Sequence, residues 1–267
     1  MDSLKHMDTL LSNQKELNIK NNSEVVNKTG ESMKTVPVSK DTQVVLKSKG
    51  LKDKVVRFTF YITYAFLMTT ATVTFIEAIR TKDIQIRNIL NLETCISIVA
   101  AFFYGVFMKK INESDEINYK DINVNRYVDW SITTPIMLLV LILAFCYNTK
   151  QTVTLQSFLF ILVLNYGMLF CGFLGENGLA DKLKANVAGF VFFVALYGYI
   201  YVSYIQGFGI FDNNILYASF VILWAFYGVA YWMEEERKNV AYNVLDLFSK
   251  CFVGIFFWAY FTKAIVL

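Results

Sequence analysis

Proline is nearly missing from this chain, with two in 267 residues. Cysteine is scarce as well. Its four copies, Cys95, Cys146, Cys171 and Cys251, all fall inside apolar runs and at no zinc-binding spacing, which excludes a metal site of the finger type and a disulfide framework. They read as small apolar packers. Net charge is only +3, and no basic patch is interleaved with stacking aromatics, so nucleic acid is not an expected partner. The period-2 alternation of outer-membrane strands, in segments of about ten residues, is lacking too, and a barrel is excluded. Residues 1–50 contain no apolar stretch that could act as a signal-peptide core.

What is present is apolar bulk. Apolar residues make up 55% of the chain and the mean hydropathy is +0.42, both high for a soluble domain of this size. From Val56 onward, apolar runs of about 20 residues or more recur, the length a helix needs to cross a bilayer. Seven are legible, near 56–79, 88–108, 125–146, 153–174, 186–206, 211–233 and 240–265. The predicted fold is therefore an all-α, multi-pass membrane protein, a seven-transmembrane-helix bundle over residues 51–267. The preceding segment 1–50, polar and rich in Lys, Asn, Ser and Thr, reads as a mostly disordered tail. Lipid is one expected partner, and self-association into a homo-oligomer is left open.

Ionisable groups inside spans are costly and mark function by default. The seventh span carries Asp246 and Lys250 four residues apart, hence on one helix face a turn from each other. Asn239 and Asn243 lie on the same helix, and Asn243 continues that stripe. The third span places Arg126, Asp129 and Thr133 on one stripe at spacings of three and four. Two readings are open. In one, Asp246 with Lys250 and Arg126 with Asp129 are structural ion pairs tying helices together. In the other, a desolvated lysine acts as a nucleophile toward an aldehyde, and the cationic imine it forms is neutralised by Asp129 and Asp246, with Arg126 keeping both ionised.

The string Arg126-Tyr-Val-Asp129-Trp130-Ser-Ile-Thr133-Thr134-Pro135, followed later in the chain by Asp246-Leu-Phe-Ser-Lys250, resembles the two most characteristic patterns of the microbial (type 1) rhodopsins. The similarity runs from about residue 56 to 267. Trp224, Tyr227 and Tyr231 resemble the family's aromatic ceiling, with Gly228 where a proline is usual. Asn165, Met168 and Gly172 resemble the segment around an ionone ring, and Tyr104 matches a tyrosine that hydrogen-bonds the second aspartate. The resemblance assigns no residues in the fifth span. It implies all-trans retinal, bound as a Schiff base on Lys250 and isomerised by light to 13-cis, in a slot formed with Trp130. It implies Asp129 as primary counterion and proton acceptor, Asp246 as second counterion, and Thr133 as hydrogen-bond partner of Asp129. Thr134 with Asn165 would join the third and fourth spans. No enzymatic reaction is expected.

Three functions follow from the resemblance: light-gated cation channel, light-driven outward proton pump, and sensory photoreceptor acting through a partner. Outward pumps carry a carboxylate eleven residues after the counterion, where this chain has Val140. Glu93 lies in the half of the second span remote from the counterions, where channels of the family carry gate carboxylates. With Asn239, Asn243 and the short segment Glu234–Asn239 between the last two spans, these departures look most similar to the group-1 rhodopsins of giant algal viruses. They make a cation channel the first expectation, with protons or cations as the transported species. A retinal-free transporter is a more distant reading. The family places the amino terminus outside, whereas Lys47, Lys49, Lys52, Lys54, Arg57, Lys109, Lys110 and Lys120 would then also be external, against the positive-inside rule.

Overall fold

The structure is a computed structural model that describes residues 40–113 and 117–263. The tail expected over 1–50 lies outside the described residues as far as residue 39. From Lys40 the backbone is helical. Seven helices follow: α1 (Lys40–Arg80), α2 (Ile84–Glu113), α3 (Tyr119–Thr149), α4 (Leu155–Glu176), α5 (Lys182–Tyr204), α6 (Phe211–Ala230) and α7 (Glu235–Phe261). All seven are long and apolar enough to cross a bilayer, α1 through its segment Asp53–Arg80, and no strand occurs among the described residues. The chain is an integral, multi-pass membrane protein of the expected class.

Short polar links end each helix. Asn118 caps α3 by accepting from Asp121 N, Thr154 caps α4 from Ser157 N, and Asp181 caps α5 from Lys184 N. These bonds satisfy amides that a helix start leaves unpaired. The helices overrun the apolar runs that locate them. Lys109 and Lys110, expected in a loop, form the last turns of α2, and most of Glu234–Asn239, also expected as a loop, is the first turn of α7. The reason is local: polar turns continue a helix past the hydrocarbon, and Glu235 and Glu236 in the first turn of α7 suit the positive end of its dipole.

Because the links are short, neighbours run antiparallel. The part of α1 around Arg57 and the starts of α3 and α7 meet the ends of α2 and α4 at what we term the proximal face: Arg57 donates to Ile111 O at 2.7 Å and Lys110 meets Asp121 at 2.5 Å. At the opposite, distal face, Ser157 at the start of α4 meets Tyr204 at the end of α5 at 2.7 Å. Helix α3 is central: 61% of its apolar window is buried, against 17% for α4, whose Leu159, Val163 and Phe170 face outward as a lipid surface.

Two irregularities shape the interior. Pro135 inside α3 has no N–H for the carbonyl of Ser131, and Tyr166 of α4 donates its hydroxyl to that carbonyl at 3.1 Å. A backbone group freed within the membrane thus finds a partner on a neighbouring helix. In α7, Leu247–Phe252 is a π-helical turn with Lys250 inside it, the kind of widened turn that recurs at functional sites.

The Asp181 cap gives a stability test. Asp181→Ala should destabilise the protein by about 1 kcal/mol, a drop of about 2–4 °C in Tm for a chain of this size, while Asp181→Asn retains the acceptor and the Tm. Thermal unfolding of the detergent-purified protein reads both.

Candidate functional site

The buried charges cluster where α3 and α7 cross mid-bundle, and their shortest contact runs between helices. Lys250 Nζ donates to Asp129 Oδ2 at 2.7 Å and lies 3.5 Å from Asp246 Oδ2. Arg126 faces Asp246, at 3.6 Å, in place of its helix neighbour Asp129. All four side chains are essentially inaccessible to solvent. Of the two intrahelical pairs that the sequence spacing offers, Asp246–Lys250 is retained at 3.5 Å, whereas Arg126 turns from Asp129 to Asp246 across the helix interface, where Lys250 also meets Asp129.

Asp246 is further satisfied by two phenols. Tyr104 of α2 donates to Oδ2 at 2.9 Å, and Tyr227 of α6 donates to Oδ1 at 2.6 Å while also meeting Ser249 Oγ at 2.9 Å. Below Asp246, the guanidinium of Arg126 donates to Asn243 Oδ1, to Tyr104 OH at 3.3 Å and, through Nε, to Asn239 Oδ1 at 3.3 Å. Asn243 in turn donates to Thr59 of α1 at 2.9 Å. The helix 7 amides are thus tied into a plug around Arg126.

On the other side of Lys250, an apolar slot runs between α3, α4, α5 and α6. Trp130, Thr134, Met168, Gly172, Trp224, Tyr227 and Tyr231 all line it, as the sequence suggests, and Lys250 closes one end. Trp130 stands perpendicular to both Tyr227 and Tyr242, with centroids 5.4 and 5.1 Å away. Asn165 Nδ2 donates to Thr134 Oγ1 at 2.9 Å, linking α4 to α3. Thr133 departs from expectation: its hydroxyl bonds the main-chain oxygen of Asp129 at 2.9 Å, which leaves Asp129 Oδ1 buried without a hydrogen-bond partner. Back-bonding to the carbonyl one turn earlier is the local habit of helical threonine.

Glu93 and Val140 lie distal to Lys250. Val140 is sealed in an apolar cluster with Ile89, Leu141 and Phe257. Glu93 is 2% exposed and faces α7 at Gly254, where an added Cβ would stand 2.7 Å from Thr70 of α1 and 3.1 Å from Glu93 Oε2. Thr70 and Ser97 hydroxyls are buried there without partners. The sequence reading missed several residues. From α5, Asn186, Phe190 and Phe193 line the slot, and no motif announced them. Tyr242 carried a signal, since Lys238, Tyr242, Asp246 and Lys250 recur every four residues on one stripe.

The donor set fits retinal. The slot is aromatic, ends on an amine, and has an orphan carboxylate oxygen beside that amine, while two glycines keep its wall thin. A Cβ on Gly172 would come within 2.8 Å of Tyr127 OH, and one on Gly228 within 2.5 Å of the Phe190 ring. Gly228→Ala should therefore push Phe190 into the slot, lowering the thermal stability of the retinal-loaded protein by about 1–3 kcal/mol and shifting its absorption. The Phe190→Leu change should restore both in the double variant.

Comparison with known proteins agrees with this geometry. The profile of the bacteriorhodopsin-like protein family matches residues 55–264. The crystal structure of viral rhodopsin OLPVRII is 54% identical, covering 79% of this chain and 99% of that one, with a TM-score of 0.75. The proton pumping rhodopsin AR2 from the marine alga Acetabularia acetabulum, 18% identical, shares the fold over 79% of this chain and 96% of its own, with a TM-score of 0.63. A blue-light absorbing proteorhodopsin from Gamma-proteobacterium Hot 75m4 is 28% identical over 159 residues, 51% of this chain, and the match spans 59% of that curated relative's length. The chain belongs to the bacteriorhodopsin-like family, the retinal-binding microbial rhodopsins.

Proposed function

We propose that Lys250 carries retinal and that light drives a proton from the distal to the proximal face of the bundle. The observation that carries this reading is the 2.7 Å contact of Lys250 Nζ with Asp129, a ready acceptor, with a second carboxyl group, Glu93, packed on Gly254 one turn beyond Lys250 on the distal side. Retinal bound at Lys250 supplies the light absorption and the light-dependent change in how its nitrogen holds a proton. The chain does the rest.

Asp129 takes the proton from the Lys250 nitrogen at short range. Arg126, tied to Asn243 and Asn239, leads from there toward the proximal face. Glu93, with the Thr70 and Ser97 hydroxyls, supplies a proton-bearing group on the distal side, the role for which Val140 is unsuited. The apolar cluster around Val140 excludes water from the rest of that half. Trp130, Trp224 and Tyr227 orient a flat chain toward Lys250. Transport is outward if the amino terminus lies outside, the orientation the family resemblance implies and the loop charges oppose.

The second reading is the light-gated cation channel favoured by the sequence. Glu93, Thr70 and Ser97 favour it, because they form a polar pocket between α1, α2 and α7 in which a carboxylate constriction would select cations. The Asn239 and Asn243 amides weigh against it, since both are engaged by Arg126 and leave no open lane.

Two experiments test these readings. Protein reconstituted with all-trans retinal should show a visible absorption band that Lys250→Ala abolishes and Asp129→Asn shifts strongly. A band surviving in Lys250→Ala would sink the assignment of the attachment site. Whole-cell photocurrent against voltage, in asymmetric sodium and potassium at fixed pH, separates the two functions. A current that keeps its sign and ignores both cations is a pump, and one that reverses with the driving force is a channel. In a pump, Glu93→Gln should slow photocycle recovery by about tenfold or more with the colour nearly unchanged.

A further inference from the structure

The proximal mouth holds a second buried lysine that the transport reading leaves unused. Lys238, near the start of α7, has no exposed surface. Its ammonium lies between Glu176, at the end of α4, and Glu235 Oε1, 2.6 Å away within α7. Asn123 of α3 donates from Nδ2 to both carboxylates, at 2.7 Å to Glu176 and 2.8 Å to Glu235. Glu176 Oε2 is buried and has no hydrogen-bond partner. One ammonium against two carboxylates leaves this triad with a net charge of −1 and an acceptor to spare.

Only two amides separate the triad from Arg126. Asn239 Nδ2 donates to Asn123 Oδ1 at 3.3 Å, and Arg126 Nε donates to Asn239 Oδ1 at 3.3 Å. On its other side Arg126 makes no bidentate carboxylate pair of the kind that fixes a guanidinium. Asp246 is 3.6 Å away, the short contact is to the neutral amide of Asn243, and the rings of Phe60 and Phe107 lie 5.2 Å from the guanidinium carbon. A cation held by neutral partners thus sits between Asp246 above and two glutamates below. Removing the ammonium from those glutamates would leave the buried carboxylate of Glu176, beside the half-exposed one of Glu235, without a cation, an arrangement that recruits one. Arg126 is the neighbour connected to them.

We propose that Lys238 is a positioning residue: its ammonium, by occupying Glu176 and Glu235, keeps Arg126 on the retinal side of Asn239. The inference rests on the reading of Lys250 and Asp129 as the pigment's charge pair, because the pigment is what reports where Arg126 stands. The charged groups facing Asp129 are Lys250 and Asp246 from α7 and Arg126 from its own helix. Withdrawal of Arg126 removes a cation from that set and makes Asp129 easier to protonate.

The test uses the retinal-loaded protein and three variants. In Lys238→Met, the red shift that acid produces by neutralising Asp129 should set in about one pH unit or more higher than in the parent. Adding Glu176→Gln to that variant, which removes the attracting charge, should return the midpoint toward the parent value. The exchange of Glu176→Lys with Lys238→Glu, which preserves the triad, should leave it unchanged and keeps the inference testable if Lys238→Met does not fold. A structure of the Lys238→Met variant should show Arg126 paired with Glu176 or Glu235. An unmoved midpoint in Lys238→Met, a moved one that Glu176→Gln fails to correct, or a moved one in the exchange variant overturns the proposal. Absence of any pigment band in the parent protein would instead defeat the assignment of Lys250.

Discussion

The contact between Lys250 and Asp129 is the constraint around which the bundle is organised. Two charges removed from water cost several kcal/mol each unless their partners are well placed, and a bilayer offers no solvent to repair a poor fit. Joining α3 to α7 through one short contact obliges the surrounding helices to satisfy what remains. Asp246 draws a phenol from α2 and another from α6, and Arg126 engages amides of α7 that reach on to α1. Helices α1, α2, α3, α6 and α7 therefore each contribute a polar group to one connected network, which fixes their rotation about their axes.

Seen along the membrane normal, the ionisable groups form layers. Glu93 is buried at the distal level, the Lys250, Asp129, Asp246 and Arg126 set balances to neutrality in the middle, and the Lys238, Glu176 and Glu235 triad lies at the proximal level. Between the first two levels the packing around Val140 is apolar, with the Thr70 and Ser97 hydroxyls as its polar exceptions, and between the last two it is built of asparagines. That asymmetry matters for transport, since a proton can be passed through hydrogen-bonded amides and phenols far more readily than across packed leucine and phenylalanine.

Much of this was legible in the sequence. Hydropathy alone located the seven spans, and the strings around Asp129 and Lys250 located the centre, because charge inside an apolar run has few innocent explanations. Helix ends were misjudged where polar turns prolong a helix beyond the hydrocarbon, as at Lys109, Lys110 and Glu235. Among the central charges, Lys250 keeps both of the partners that the sequence offered it, whereas Arg126 pairs with Asp246 in place of Asp129, since spacing along one helix reveals shared faces and says nothing of which opposing helix supplies the nearer ion. Lys238 was passed over for the same reason as the loop it was assigned to: at the edge of a span a lysine looks solvated, and only the convergence of α3, α4 and α7 buries it. The residues of α5 in the slot, Phe190 and Phe193 among them, are ordinary apolar side chains whose role is fixed by what they face.

The π-helical turn at Leu247–Phe252 sets the phase of everything beyond it. A widened turn accommodates an additional residue without interrupting the helix, so the distal third of α7, Val253–Phe261, is rotated relative to a regular continuation from Asp246. Gly254 meets Glu93 and Phe257 joins the distal core in this rotated frame. Loss of a single residue from the turn would leave an unbroken helix, yet would swing the remaining segment by about 100° and carry glycine away from the carboxyl group it accommodates. Length within those six residues thus governs the distal packing as the identity of the lysine governs the site.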